Sequence, residues 1–172
     1  MLVKKILPST SGLSLGELVD VTLANNVSMG VAAPSTLRLT GQRLQTTADL
    51  TPGQEVLAEI TGNIAVANDG NPSFTTVKLL LASSQIAGTV AAVNSSAGSF
   101  ALTNIWSLFT KANPAVTQLE VQTGTQITFV DLTPADASAI STSSKVAVKG
   151  PLFNTIGSVG QPTLSALQVA GR

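Results

Sequence analysis

At 172 residues, with nine basic and nine acidic side chains, the chain carries no formal net charge and so has no field with which to hold nucleic acid or an anionic membrane surface. It contains no His, Cys or Tyr, which excludes disulfides, thiolate metal sites, imidazole proton transfer and the His-dependent nucleophilic triads. Charged residues make up 10 % of the chain against about 25 % in ordinary domains, while 44 % is hydrophobic; that is a folding chain, and one with little charge to keep copies apart.

The N-terminal arm, residues 1–16, opens with Leu2–Leu7 (LVKKIL), either a short strand with Lys4 and Lys5 solvated or a frayed terminus. No apolar h-region follows the lysines, so this is not a signal peptide as it stands, and no apolar run approaches the ~20 residues of a membrane helix. Leu18–Leu23 alternates and predicts a strand, with Asn25, Asn26 and Gly30 supplying turn residues and Pro34 a break. Leu37–Thr40 predicts a strand and Leu50–Gly53 a turn. Val56–Ile60 predicts a strand with Val56, Ala58 and Ile60 inward and Glu55 and Glu59 outward. Asn68–Pro72 predicts a loop tip, and Phe74–Leu81 a strand whose apolar end points to burial on both faces.

In the second half, Gln85–Leu102 has the pattern of a hairpin around Asn94–Gly98. Ile105–Phe109 is a strand or one helical turn and carries the single Trp, Trp106. Leu119–Val121 and Ile127–Val130 predict two strands. Thr133-Pro134-Ala135-Asp136 offers an N-cap hydroxyl, a Pro at the first helical position and an acid three residues on, predicting a short helix or 3-10 turn through Ile140. Strands at Val146–Val148 and Leu164–Val169 close the chain.

Leu50–Leu81 and Ile140–Gly171 share one plan, 90 positions apart. Identities are few: Val56 with Val146, Gly70 with Gly160, Pro72 with Pro162. Residue type matches more widely, with Leu37, Leu39, Leu50, Val56, Ala58, Phe74, Val77 and Leu79 against Ile127, Phe129, Ile140, Val146, Val148, Leu164, Leu167 and Val169. Glu55 and Glu59 fall on Lys145 and Lys149. Self-similarity at a fixed period, with turn chemistry and loop length both kept, points to internal duplication. The expected fold is all-β: two tandem small OB-like or Greek-key β-barrels, residues 17–83 and 84–172, with a short helix or 3-10 turn in at least the second.

The order GTVAAVNSSAGSFAL, a strand, TQITF, a turn into KVAVKG, a loop and SALQVAG resembles the small bacterial secreted β domains grouped as DUF5666, in two tandem copies with the first degenerate. Copy two fits from Gly88 to Gly171 with an insertion around Ile105–Thr117. Copy one matches best at Asp49–Val56 and departs where its first hairpin should be. The resemblance implies a small OB-like barrel, export and no known activity, and it carries over no functional residues.

Motifs that could carry chemistry have simpler explanations. Asp131 and Asp136 flank a helix start, where capping and dipole roles account for them. Ser143-Ser144-Lys145 has the residues of a Ser-Lys dyad but lies at the turn into a strand. Asn68–Asn71 offers oxygen ligands to Ca²⁺ yet lacks the spaced carboxylates of an EF-hand loop. Phe74, Phe100, Phe109, Phe129 and Phe153 sit mostly at core positions. Trp106, with Phe109 and Lys111, is either packed in the interior or a platform for a carbohydrate.

The expectation is therefore a non-enzymatic protein with no catalytic, cofactor or metal site, extracellular or on a bacterial cell surface. It would act as a structural subunit that self-assembles, in a filament or surface layer, by strand addition through Leu2, Val3, Ile6 and Leu7. Its partner would be further copies of itself, with no nucleic acid and no membrane span. The alternative is a glycan- or peptide-binding module with a groove near Trp106 or between the repeats.

Overall fold

A computed structural model of the chain describes residues 12–32, 44–110, 115–154 and 161–172. Within them lie strands β1 (Asp20–Val31), β2 (Val56–Val66), β3 (Pro72–Leu81), β4 (Ser83–Asn94), β5 (Ser99–Thr103), β6 (Leu119–Val130), β7 (Lys145–Phe153) and β8 (Thr163–Gly171). Among the described residues, helical structure is limited to one turn at Ser107–Thr110 and 3-10 turns at Thr47–Asp49 and Ala137–Ala139. The chain divides into two compact units, Met1–Met29 with Leu57–Leu79, and Gly30–Val56 with Leu80–Arg172.

Strands β4 to β8 close into a barrel in the order β4-β5-β6-β8-β7. The β6–β8 pair is parallel and the other four are antiparallel. Alternation along the strands, with a slip of phase in β8 between Ala166 and Val169, sends one set of side chains inside: Ile86 and Val90, Phe100 and Leu102, Leu119 and Val121, Val146 and Val148, Leu164, Ala166 and Val169. The opposite set is polar where it can be, with Gln85, Lys149 and Gln168 side by side across β4, β7 and β8. Each fully buried Val, Leu or Phe contributes about 1.5–3 kcal/mol over an exposed one, so this aliphatic interior is the main source of the barrel's stability.

The remaining strands form an open three-stranded sheet in the order β1-β3-β2. Central β3 buries Phe74 and Thr76, then Leu79 and Leu81, so its inward phase slips by one residue. Thr76 stands at that slip: its hydroxyl donates to the Lys78 carbonyl at 2.7 Å and accepts from the Lys78 N–H at 3.3 Å. No residue of β1 or β2 is fully buried. Among the described residues, the first half thus supplies an open sheet and the second half a closed barrel.

Three expectations change. Strand β1 runs through Asn25, Asn26 and Gly30 to Val31, because pairing with β3 outweighs the turn propensity of those residues. Leu119–Val121 and Ile127–Val130 belong to one strand, β6, whose pairing with β8 shifts register between Thr123 and Thr128. The N-cap of the second 3-10 turn is Asp136 rather than Thr133, since the Asp136 carboxylate can accept from the Ser138 N–H. The predicted strand Leu37–Thr40 lies outside the described residues.

In the second unit, the connection from Leu44 to Glu55 is bound to the barrel. Gln54 Nε2 donates to the Leu152 carbonyl at 3.0 Å and Asn154 Nδ2 to the Ala48 carbonyl at 2.8 Å. Ser84, 1 % exposed, donates to the Gly53 carbonyl and accepts from the Glu55 N–H. These bonds satisfy polar groups that burial would otherwise penalise.

Four backbone hydrogen bonds recur 90 positions on, at both donor and acceptor. Asp49 N–H to Thr46 O matches Ala139 N–H to Asp136 O, and Leu50 N–H to Thr47 O matches Ile140 N–H to Ala137 O. Gln54 N–H to Thr51 O matches Ser144 N–H to Ser141 O, and Ala82 N–H to Glu55 O matches Arg172 N–H to Lys145 O. Gly53 and Ser143, also 90 apart, both have positive φ, +88° and +75°.

Candidate functional site

The described residues offer two features from which an activity could be built: an exposed aromatic on the barrel and the outer strands of the sheet. Each follows from local sequence.

Trp106 follows β5 and enters the single helical turn at Ser107–Thr110, where the Phe109 N–H donates to the Trp106 carbonyl at 3.0 Å. That turn sends neighbouring apolar residues in opposite directions. Ile105 and Phe109 enter the barrel core, 8 % and 1 % exposed, while Trp106 remains 52 % exposed. Phe109 lies over the backbone of Gly53, where no side chain interferes. The expected platform of Trp106, Phe109 and Lys111 is therefore not assembled on one surface. Phe109 is a core residue, Trp106 is a surface residue, and Lys111 lies outside the described residues.

The sheet has apolar side chains on the outside. Leu57 on β2 is 56 % exposed and Val66, at its far end, 77 %; Leu15 and Leu18, ahead of β1, are 70 % and 58 % exposed. Along β2, Val56, Ala58 and Ile60 are half-buried and Leu57 and Glu59 exposed, as the alternation predicts. In sequence, Leu57 is an apolar residue in the outward phase between Glu55 and Glu59, and those two charges mask its signal. Gly62, inside β2, has φ +76°. The expected assembly positions Leu2, Val3, Ile6 and Leu7 lie outside the described residues.

The polar candidates are engaged in turns. Asp69 accepts from the Asn71 backbone N–H at 3.0 Å and from the Asn71 side chain, and the loop is closed by Ala67 N–H to Asn71 O at 2.8 Å. The Ser144 hydroxyl accepts from the Ser141 N–H at 3.2 Å and lies 3.1 Å from the Ser141 hydroxyl. Asp136 accepts from the Ser138 N–H and hydroxyl, at 2.8 and 2.6 Å. These bonds build the turns. Among the described residues, no three acidic side chains come together as a cation site would require, and no helix is long and apolar enough to cross a membrane.

No family model, no curated protein and no solved structure matches this chain.

Proposed function

We propose that this is a non-catalytic structural β protein of the bacterial exterior that works through its surfaces, joining copies of itself by strand addition with the N-terminal segment Leu2, Val3, Ile6 and Leu7. The observation that carries the reading is the contrast between the two halves: the barrel has no edge, whereas the sheet β1-β3-β2 ends on edge strands among the described residues. Edge strands offer backbone donors and acceptors to another chain, and natural proteins blunt them with charge, Pro or a covering element. Here β2 carries one charge, Glu59, and exposes Leu57 and Val66. Zero net charge removes repulsion between copies.

The barrel's strand order and single parallel pair support an OB-like reading, and the hydrogen bonds recurring at 90 positions support a tandem origin for the two halves. OB barrels that hold oligonucleotides or sugars use the face of their second and third strands. Here that face, on β5 and β6, pairs Ser99 with Gln122 and Ala101 with Glu120, with neither an aromatic nor a basic residue. This favours assembly over nucleic-acid binding.

Light scattering and negative-stain imaging of the full chain and of a variant lacking residues 1–12 test the reading. The full chain should form oligomers or filaments and the truncated chain a folded monomer; an unchanged oligomeric state on truncation eliminates it.

One observation favours a second reading, a glycan- or peptide-binding module: Trp106 is 52 % exposed. Titration of its fluorescence with cell-wall oligosaccharides distinguishes the two, since saturable quenching by a sugar is expected only of the second.

A further inference from the structure

We propose that the acceptor for the N-terminal arm is the open edge of β2 at Leu57–Thr61, and that the arm seated there, Leu2–Leu7, comes antiparallel from a second copy of the chain. This inference rests on the strand-addition reading above and names its site.

The barrel shows how a strand in the same position is completed. Strand β7 has β8 on one side and β4 on the other. Its residues Ala147–Pro151, 90 positions from Leu57–Thr61, pair antiparallel with Ser83–Ala87 of β4. Strand β2 has β3 on one side, and among the described residues nothing takes the flank that β4 takes beside β7. An antiparallel strand is thus the occupant for which this backbone has an internal precedent.

The length of the stretch agrees. The β4–β7 ladder ends at Pro151, which corresponds to Thr61, and Gly62 follows with φ +76°. Strand β2 itself runs on to Val66, so the stretch is bounded by its correspondence with the β4–β7 ladder and not by the end of the strand. An arm of six residues spans such a stretch.

Side-chain chemistry selects the arm. Leu57 presents an exposed apolar side chain and Glu59 an exposed carboxylate. LVKKIL combines apolar residues at both ends with Lys4 and Lys5 in the middle. Laid along Leu57–Thr61, it sets an ammonium group across from Glu59 and aliphatics beside Leu57, pairings that stabilise adjacent strands. Neutral copies meet without net repulsion, and that favours an arm from another molecule.

Hydrogen–deuterium exchange of the full chain and of the variant lacking residues 1–12 tests this. Loss of the arm should speed exchange at Leu57–Thr61 by about tenfold or more and leave the barrel strands unchanged, and a synthetic peptide of residues 1–12 should restore protection. On the full chain, Glu59→Lys should weaken association by about threefold, and adding Lys4→Glu with Lys5→Glu should recover it. If truncation abolishes assembly but exchange at Leu57–Thr61 stays the same, the acceptor lies elsewhere: this inference falls and strand addition stands. If truncation leaves assembly intact, the strand-addition reading itself falls. Protection that depends on the arm in a chain that remains monomeric at all concentrations would show the arm folding back on its own sheet, which overturns the second-copy assignment. Should the truncated chain fail to fold, the charge exchange decides: no effect of Glu59→Lys, or no recovery, overturns the site.

Discussion

The Phe109 ring occupies the space that a side chain at Gly53 would fill: a Cβ there would stand 2.1 Å from Cζ and 2.2 Å from Cε1 of the ring. Gly53 also has φ +88°. The position 90 residues on separates these two demands, because Ser143 adopts φ +75° with a side chain in place. Positive φ alone is thus tolerated by the turn, at a cost of about 1–2 kcal/mol. What only glycine permits at residue 53 is the close approach of the aromatic ring. Gly53→Ala should destabilise the protein by about 3 kcal/mol, the sum of backbone strain and a displaced core ring. Urea denaturation of Gly53→Ala, Phe109→Ala and the double variant checks this. Phe109→Ala is itself costly, about 3–5 kcal/mol, but the added cost of Gly53→Ala should shrink to the strain alone once the ring is gone. Equal costs in both backgrounds would refute the contact.

A harder constraint lies inside the barrel. A Cβ at Gly150 would fall 1.9 Å from the Ser165 carbonyl oxygen and 2.8 Å from its carbon, both backbone atoms. Backbone cannot turn aside as a flexible side chain can. The site sits where the β7–β8 register shifts, between Lys149 and Leu152. Gly150→Ala should therefore cost more than Gly53→Ala, about 4 kcal/mol or the loss of a cooperative transition altogether. Gly124 is the control: a Cβ there meets nothing within 4 Å, and Gly124→Ala should change stability by less than about 1 kcal/mol. Near-UV circular dichroism with denaturation curves reads out both.

The strands were legible because their signals are local. Alternation placed β3, the β4–β5 hairpin, β7 and β8, and the residues it put inside, such as Val56, Phe100, Val146 and Val148, point inward or stay half-buried. Extents were less legible. Asn25 and Asn26 read as a turn, yet they sit inside β1, where pairing with β3 decides the backbone. Phe109 shows the limit for sites. Its spacing from Trp106 is that of neighbours on one surface, and only the helical turn at Ser107–Thr110, with bare backbone at Gly53 to receive the ring, sends it into the core. The departure of the two halves from each other, a sheet in one and a barrel in the other, depends on which strands meet across the fold. No short window of sequence carries that.

Asp49 anchors the connection that binds the barrel. Its Oδ2 accepts from the Gln45 and Thr46 N–H groups, both at 2.8 Å, and from the Thr46 hydroxyl at 3.3 Å, in a side chain only 6 % exposed. Ninety positions on, the roles are exchanged: the last residue of the turn is Ala139 and the carboxylate is supplied by the N-cap, Asp136. Asp49→Ala would leave two part-buried N–H groups without this acceptor and should cost about 2 kcal/mol, a fall in Tm of a few degrees for a chain of this length. Asp49→Asn retains an oxygen acceptor and should recover about half of that. Differential scanning calorimetry of both variants checks the order; equal losses would mean that charge rather than hydrogen bonding holds the turn.

The exposed counterpart, Asp136, supplies a pH signature. The Ser138 hydroxyl, and after it the Ser138 N–H, donate to its carboxylate and hold its pKa below the ordinary aspartate value; the small effect of burial acts the other way. Both bonds favour the charged form. The folded-state pKa therefore lies below that of the unfolded chain, where neither bond exists. Asp136 stabilises the fold at every pH above its unfolded-state value, and that contribution disappears as pH falls through the folded-state pKa. Because the group is fully exposed, the effect on stability is small, and the titration itself is the sensitive measurement. Carbon-detected NMR of the Asp136 carboxyl should show a depressed midpoint in the native protein and a higher one in Ser138→Ala. Ser138→Thr, which keeps a hydroxyl, should retain the depression. The stability difference between the native chain and Asp136→Asn should narrow as pH is lowered through that midpoint. A carboxyl midpoint unmoved by Ser138→Ala would show that these two hydrogen bonds do not set it.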